Sequence, residues 1–163
     1  MRGQETFLAK FFHSTKPLVV PAYQRNYTWR KENCKLLFDD ILNICNDERK
    51  KHFIGSVVFV DHADSFIVID GQQRITTISI LLLALRNAIK NGEIEVTNPS
   101  LANQIEYEFL VNQFSSTEEH RMKLKPFRDD CKAYDALFGD AQNYIETSQI
   151  TINYKFFYNE LIS

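Results

Sequence analysis

One stretch, Phe66-Ile67-Val68-Ile69-Asp70-Gly71-Gln72-Gln73-Arg74-Ile75-Thr76-Thr77, constrains the chain more than any other. Its first four residues are apolar and partly β-branched, which predicts a short buried strand. From there Ile75, Ile78, Leu81, Leu82, Leu85 and Ile89 recur at helical spacing, so a helix follows. Asp70 is placed to cap its first turn, and Gln73, three residues on, to reach back as in a capping box. Gly71 permits a sharp turn or the close approach of a ligand. Backbone N–H groups, the positive end of the helix dipole and the Arg74 guanidinium would then face the same way, an arrangement suited to phosphate. A plain turn with a cap is the competing reading. A cap, however, needs one polar side chain, and this turn carries two glutamines and an arginine.

The 163 residues are one domain's worth of chain, long enough for a real core. The net charge of −2 excludes a bulk polycation, so any contact with nucleic acid would need a local patch. Three cysteines, Cys34, Cys45 and Cys131, are few and odd in number, which argues against a disulfide framework and for a reducing compartment. No metal-ligand spacing appears among them and the four histidines. Charges interrupt every N-terminal apolar run, and the longest run, Ile78 to Leu85, is far too short to cross a bilayer. A soluble, cytoplasmic protein is the expectation.

Along the chain, the patterns predict a short helix over 4–13, a strand at Leu18-Val19-Val20 and a helix over 31–48 with a buried face of Cys34, Leu37, Phe38, Ile41, Leu42, Ile44 and Cys45. A second strand spans 52–60, with Gly55-Ser56 inside it marking a bulge or a place where something approaches the backbone closely. The central helix, over 73–90, stops at Asn91-Gly92. Helices over 100–113, 127–138 and 150–162 follow, with a short strand at 122–125 before Pro126. Asp39-Asp40 reads as a solvated face or a salt bridge, because neighbouring helical residues point about 100° apart. The organisation expected is a core over 1–115 and a mainly helical extension over 116–163. The aromatic helix at its end needs something to pack on, so the chain reads as a piece of a longer protein.

The second informative stretch is Val20-Pro21-Ala22-Tyr23-Gln24-Arg25-Asn26-Tyr27-Thr28-Trp29-Arg30. Three aromatics alternate with polar residues in a segment that is neither strand nor helix. Irregular segments with packed aromatics and fixed polar groups tend to be functional loops. Aromatics that merely wedge a loop onto the core are the alternative.

These motifs together carry a resemblance. Pro21-x-Tyr23-Gln24-Arg25-x-Tyr27-x-Trp29, a helix with Asp39-Asp40-Ile41, then Phe53-Ile54-Gly55-Ser56 and Ile69-Asp70-Gly71-Gln72-Gln73-Arg74-Ile75-Thr76-Thr77 occur in order. The chain closely resembles the N-terminal domain of GmrSD-type, modification-dependent restriction enzymes, most strongly from Pro21 to Leu85. Its two key segments also look like diverged boxes of ParB and sulfiredoxin. The resemblance implies a ParB/sulfiredoxin-like α+β fold, a small mixed sheet with flanking helices followed by the start of a helical extension. It implies a domain that binds and hydrolyses a nucleoside triphosphate and so licenses a nuclease domain, C-terminal or in a partner subunit. No nuclease motif occurs in these residues, so DNA cleavage is not expected of this fragment.

Under that resemblance, backbone N–H groups around Gly71 and Gln72 would hold the triphosphate, with Arg74 and Arg25 neutralising charge. Gln72 or Gln73 would orient an attacking water, and Gln24 would hold a phosphate or that water. Asp70 is either a Mg²⁺ ligand or a pure helix cap. Thr76 and Thr77 offer hydroxyls, to phosphate or to helix packing. The alternative function is a non-hydrolysing module for DNA or protein, in which Arg25, Arg30 and Lys31 contact phosphodiesters and Tyr23, Tyr27 and Trp29 stack on bases. An inert scaffold is the third.

Overall fold

A computed structural model of the chain describes residues 7–47, 55–115, 117–118 and 121–163. Its sheet grows around a strand of only two residues, β1 (Leu18–Val19). Pro17 and Pro21 bracket it, and proline has no N–H to give a ladder. The other strands are β2 (Val58–Asp61), β3 (Phe66–Asp70) and β4 (Leu124–Lys125). They lie in the order β2-β3-β1-β4, with β1 parallel to both β3 and β4 and β2 antiparallel to β3. A β2–β3 hairpin, extended by β1 and β4 through long connections and flanked by helices, makes an α+β domain with a small mixed sheet, as the resemblance implies.

Six α-helices complete the described fold: α1 (Leu8–Phe12), α2 (Lys31–Asn46), α3 (Gln72–Lys90), α4 (Leu101–Ile105), α5 (Arg128–Ala136) and α6 (Gln149–Ile162). The N-terminal part of the 4–13 helix, residue 48 of the second helix and residues 52–54 of the second strand lie outside the described residues. α3 is the centre of the molecule. Beyond the predicted stripe, Ile80, Leu83, Ala84 and Ala88 are also fully enclosed, because α6 and α4 pack on faces that periodicity leaves open. One hydrophobic cluster runs from Phe12 through Leu18, Val68 and Ile75 to Tyr134 and Phe157. The stretch after residue 115 shares this core, supplying β4 to the sheet and α6 to the packing on α3. α3 ends as expected: Gly92 has φ +77, and the Gly92 and Glu93 N–H groups donate to the Ile89 and Ala88 carbonyls, a Schellman cap.

Three expectations are corrected. The helix expected over 100–113 stops at Ile105 and continues as one π-helical turn, Glu106–Leu110, in which the Val111 N–H donates to the Glu106 carbonyl. The turn frees the Glu108 carbonyl to accept from the buried Lys123 ammonium at 2.8 Å, and Glu106 pairs with the buried Arg86 at 2.9 Å. The buried face of α2 is narrower than predicted: Cys34, Leu37 and Phe38 are buried, whereas Leu42 and Cys45 are exposed, because α6 covers one side only. The capping box at the start of α3 does not form, as the site shows. Asp39 is in the predicted salt bridge, with Lys35 at 3.0 Å. No described helix is long and apolar enough to cross a membrane.

Candidate functional site

β3 ends at Asp70 and α3 begins at Gln72, with Gly71 between them as N-cap at φ +90. No side chain caps this helix, and its first turn holds no acid. The first N–H groups of an α-helix have no acceptor within it, so the open end of a 19-residue helix carries uncompensated partial positive charge. Arg74 in the first turn adds a full charge where a helix favours an anion. The end is therefore built the wrong way round for stability alone.

The predicted cap fails because Asp70 is strand: it pairs with Val58 and is exposed. Gln73 is turned inward instead of back, 7 % exposed. Its Oε1 accepts from the backbone N–H of Thr28 at 2.9 Å and of Trp29 at 3.2 Å, and its Nε2 donates to the Asn26 carbonyl at 3.2 Å. The side chain of Gln73 thus holds the second informative loop against the helix start. That geometry commits its carbonyl oxygen to the loop backbone, whereas the Gln72 side chain makes no hydrogen bond among the described residues.

The loop is fixed from three further sides. Gln24 Nε2 donates to the Ile69 carbonyl at 2.9 Å, so this glutamine braces the loop on the end of β3. The Tyr27 N–H donates to Asp130 Oδ2 at 2.7 Å. A buried chain of donors runs from Asn153 Nδ2 to Tyr27 Oη at 2.9 Å, on to Thr77 Oγ1 at 2.7 Å, and from that hydroxyl to the Gln73 carbonyl at 2.7 Å. Asn153 also donates to the Trp29 carbonyl at 2.7 Å. Burial raises the Tyr27 hydroxyl well above its ordinary range, with Cys34 nearby adding to it, so it stays protonated and able to donate. Two expectations fall here. Thr77 is fully buried with its hydroxyl consumed and does not reach a ligand; Tyr27 is buried and cannot stack on a base.

The strand entry before β2 closes the other wall. Gly55 has φ +108, and a Cβ there would sit 2.7 Å from Arg74 Cζ, so the guanidinium lies against the Gly55 backbone. Arg74 Nη1 reaches the Ser56 carbonyl at 3.4 Å. At Gly71 a Cβ would come within 3.0 Å of Val57 Cγ2 and 3.1 Å of the Ser56 carbonyl. The close approach read from Gly55 is thus that of Arg74 itself.

Between these walls is a cleft of about 230 Å³ lined by Gln24, Arg25, Trp29, Asp70, Gly71, Gln72, Gln73 and Arg74. The two informative stretches, some 45 residues apart in sequence, meet there. Arg30 is exposed at the start of α2, with its N–H accepted by Asn33 Oδ1 at 3.0 Å, and does not line the cleft. Asp70 is the sole carboxylate in the lining, and no group of three or more His, Cys, Asp or Glu among the described residues is placed to hold a metal. Any cation held here would need oxygens from its ligand.

Asn153 and Asp130 are site-building residues that sequence reasoning missed. A signal for Asn153 was present: an amide between Ile150, Tyr154 and Phe157 on a largely apolar helix face. Asp130 gave none.

An α+β domain with a cationic, uncapped helix terminus facing a rigid aromatic loop is the class this fold and site define. Residues 8–162 match the family model described as the GmrSD restriction endonuclease, N-terminal domain, and the chain belongs to that family. No curated protein matches the sequence. Membership puts the chain in the context of restriction and defence against foreign DNA.

Proposed function

We propose that the cleft binds the polyphosphate of a nucleoside triphosphate with Mg²⁺, hydrolyses it, and so regulates a DNA nuclease domain outside these residues. One observation carries the reading: a 19-residue helix starts with a glycine cap, no acid and an arginine in its first turn, at the floor of an open cleft. A dianionic phosphate would satisfy the free N–H groups and the dipole together. Arg74 and Arg25 would supply forked donors to its oxygens. Asp70 would share the Mg²⁺ with phosphate oxygens and water. The volume, below that of ordinary ligand pockets, suits the phosphates with the nucleoside left at the rim beside Trp29. The likeness of the two loops to the boxes of ParB supports a triphosphate over a single phosphate, and family membership supports the nuclease as the regulated partner.

The test is a thermal-shift titration with ATP, CTP, GTP and UTP in Mg²⁺, on wild type and Arg74→Ala. A native-state ligand at a hundredfold excess over its Kd adds about 2.7 kcal/mol, which is about 5–10 °C in a domain of this size. Wild type is expected to shift and Arg74→Ala not to. Equal shifts in both proteins would remove Arg74 from the site, and no shift with any nucleotide would remove the reading.

A further inference from the structure

A second, smaller void lies beside the cleft and shares Gln72 and Gln73 with it. It measures about 10 Å³, close to the room one water occupies, and its polar walls are Tyr27, Gln72, Gln73, Thr76 and Asp130. Thr76 is 3 % exposed, and its hydroxyl makes no hydrogen bond to any described residue, in contrast to Thr77 next to it, which bonds the Gln73 carbonyl. Asp130 spends Oδ2 on the Tyr27 N–H and has no protein partner for Oδ1 among the described residues. Apolar voids stay dry, whereas a void with two to four polar partners holds water. Thr76 and Asp130, each with a side-chain oxygen that no described residue bonds, both line this water-sized space next to Gln72 and meet that condition.

We infer that this void holds one water between Asp130 and Thr76, and that Asp130 is the general base that activates it against a triphosphate in the adjoining cleft. The inference rests on the nucleotide reading above. In the step, the water oxygen bonds to the terminal phosphorus while the bond from phosphorus to the bridging oxygen breaks. The bridging oxygen keeps the electron pair and leaves on the nucleoside diphosphate. The water proton passes to the Asp130 carboxylate and from there to solvent. Gln72, which lines both spaces, orients the water at the boundary between them while Asp130 still holds it. Burial pushes the Asp130 carboxyl up from its ordinary range, the Tyr27 N–H draws it partly back, and Asp129 adds to the rise. A carboxylate of raised basicity is a better proton acceptor.

The test measures phosphate release and calorimetric binding with ATP, CTP, GTP and UTP in Mg²⁺. Asp130→Asn retains an oxygen for the Tyr27 N–H and loses the base. It is expected to bind within about threefold of wild type and to turn over about 100-fold more slowly or worse. Asp130→Ala is expected to regain turnover with added formate, a response that a purely structural aspartate would not give. Thr76→Val, which keeps the shape, is expected to bind normally and to lose about tenfold in rate. Turnover of Asp130→Asn within about threefold of wild type would overturn the inference. If that variant does not fold, an undiminished rate in Thr76→Val overturns it instead. A wild type that binds but does not turn over also overturns it and leaves the binding reading intact, whereas a wild type that does not bind removes both.

Discussion

At the scale of single residues, Gly55 and Arg74 are one device. Gly55 sits at φ +108, a conformation that side chains rarely adopt, and the space its Cβ would fill holds the Arg74 guanidinium. Gly55→Ala is therefore expected to lower stability by about 1–3 kcal/mol in urea unfolding and to displace Arg74, abolishing the nucleotide-induced thermal shift. In an Arg74→Ala background the same substitution should cost less, since the contact is gone and only the backbone strain remains; equal costs in a double-mutant cycle would separate the two residues. Gly55 was legible as a close-approach position. What approaches it was not, because Arg74 lies on another element and only folding brings the two together.

At the scale of elements, the loop over 21–30 is irregular yet held on every side. Its backbone bonds run to Gln73 of α3, Asp130 of α5 and Asn153 of α6, so three helices share the task that a ladder performs for a strand. Removing one clamp strands buried groups. Asn153→Ala would leave the Trp29 carbonyl and the Tyr27 hydroxyl without that donor, at about 1–3 kcal/mol in chemical denaturation. Hydrogen exchange at the Thr28 and Trp29 amides is expected to accelerate with it; unchanged protection there would mean that Gln73 holds those two amides without help from Asn153. The strand–turn–helix at 66–90 was readable because its signals are local: an apolar run, a glycine and a 3.6-residue period. The π turn at Glu106–Leu110 was not, since the same apolar spacing serves a continuous helix until Lys123 and Arg86 claim its polar groups.

At the scale of the whole molecule, three buried tyrosines tie stability to pH. Burial raises the hydroxyls of Tyr27, Tyr134 and Tyr154 above their ordinary range. Unfolded tyrosine loses its proton near pH 10, where these three keep theirs, so in that range the folded chain binds more protons and stability falls as pH rises. Melting temperature is expected to drop steeply above about pH 10, and absorbance at 295 nm should show three of the seven tyrosines ionising only on unfolding. Free ionisation of all seven in the folded protein would contradict the burial described. Those three tyrosines come from the loop, α5 and α6, and each is enclosed by chain far from it in sequence. That distance separates what the sequence determined by itself from what it did not. The order of strands and helices and the two stretches that form the cleft follow from periodicity, proline, glycine and motif, all of which act within a few residues, and the α+β class follows from the family resemblance that those motifs carry. The inward turn of Gln73, the burial of Tyr27 and Thr77, and the recruitment of Asp130 and Asn153 rest on bonds such as Tyr27 to Asp130 and Asn153 to Tyr27, which span 103 and 126 residues. A polar side chain reads the same in sequence whether it faces a ligand or a backbone, and only the packed core decides which it meets.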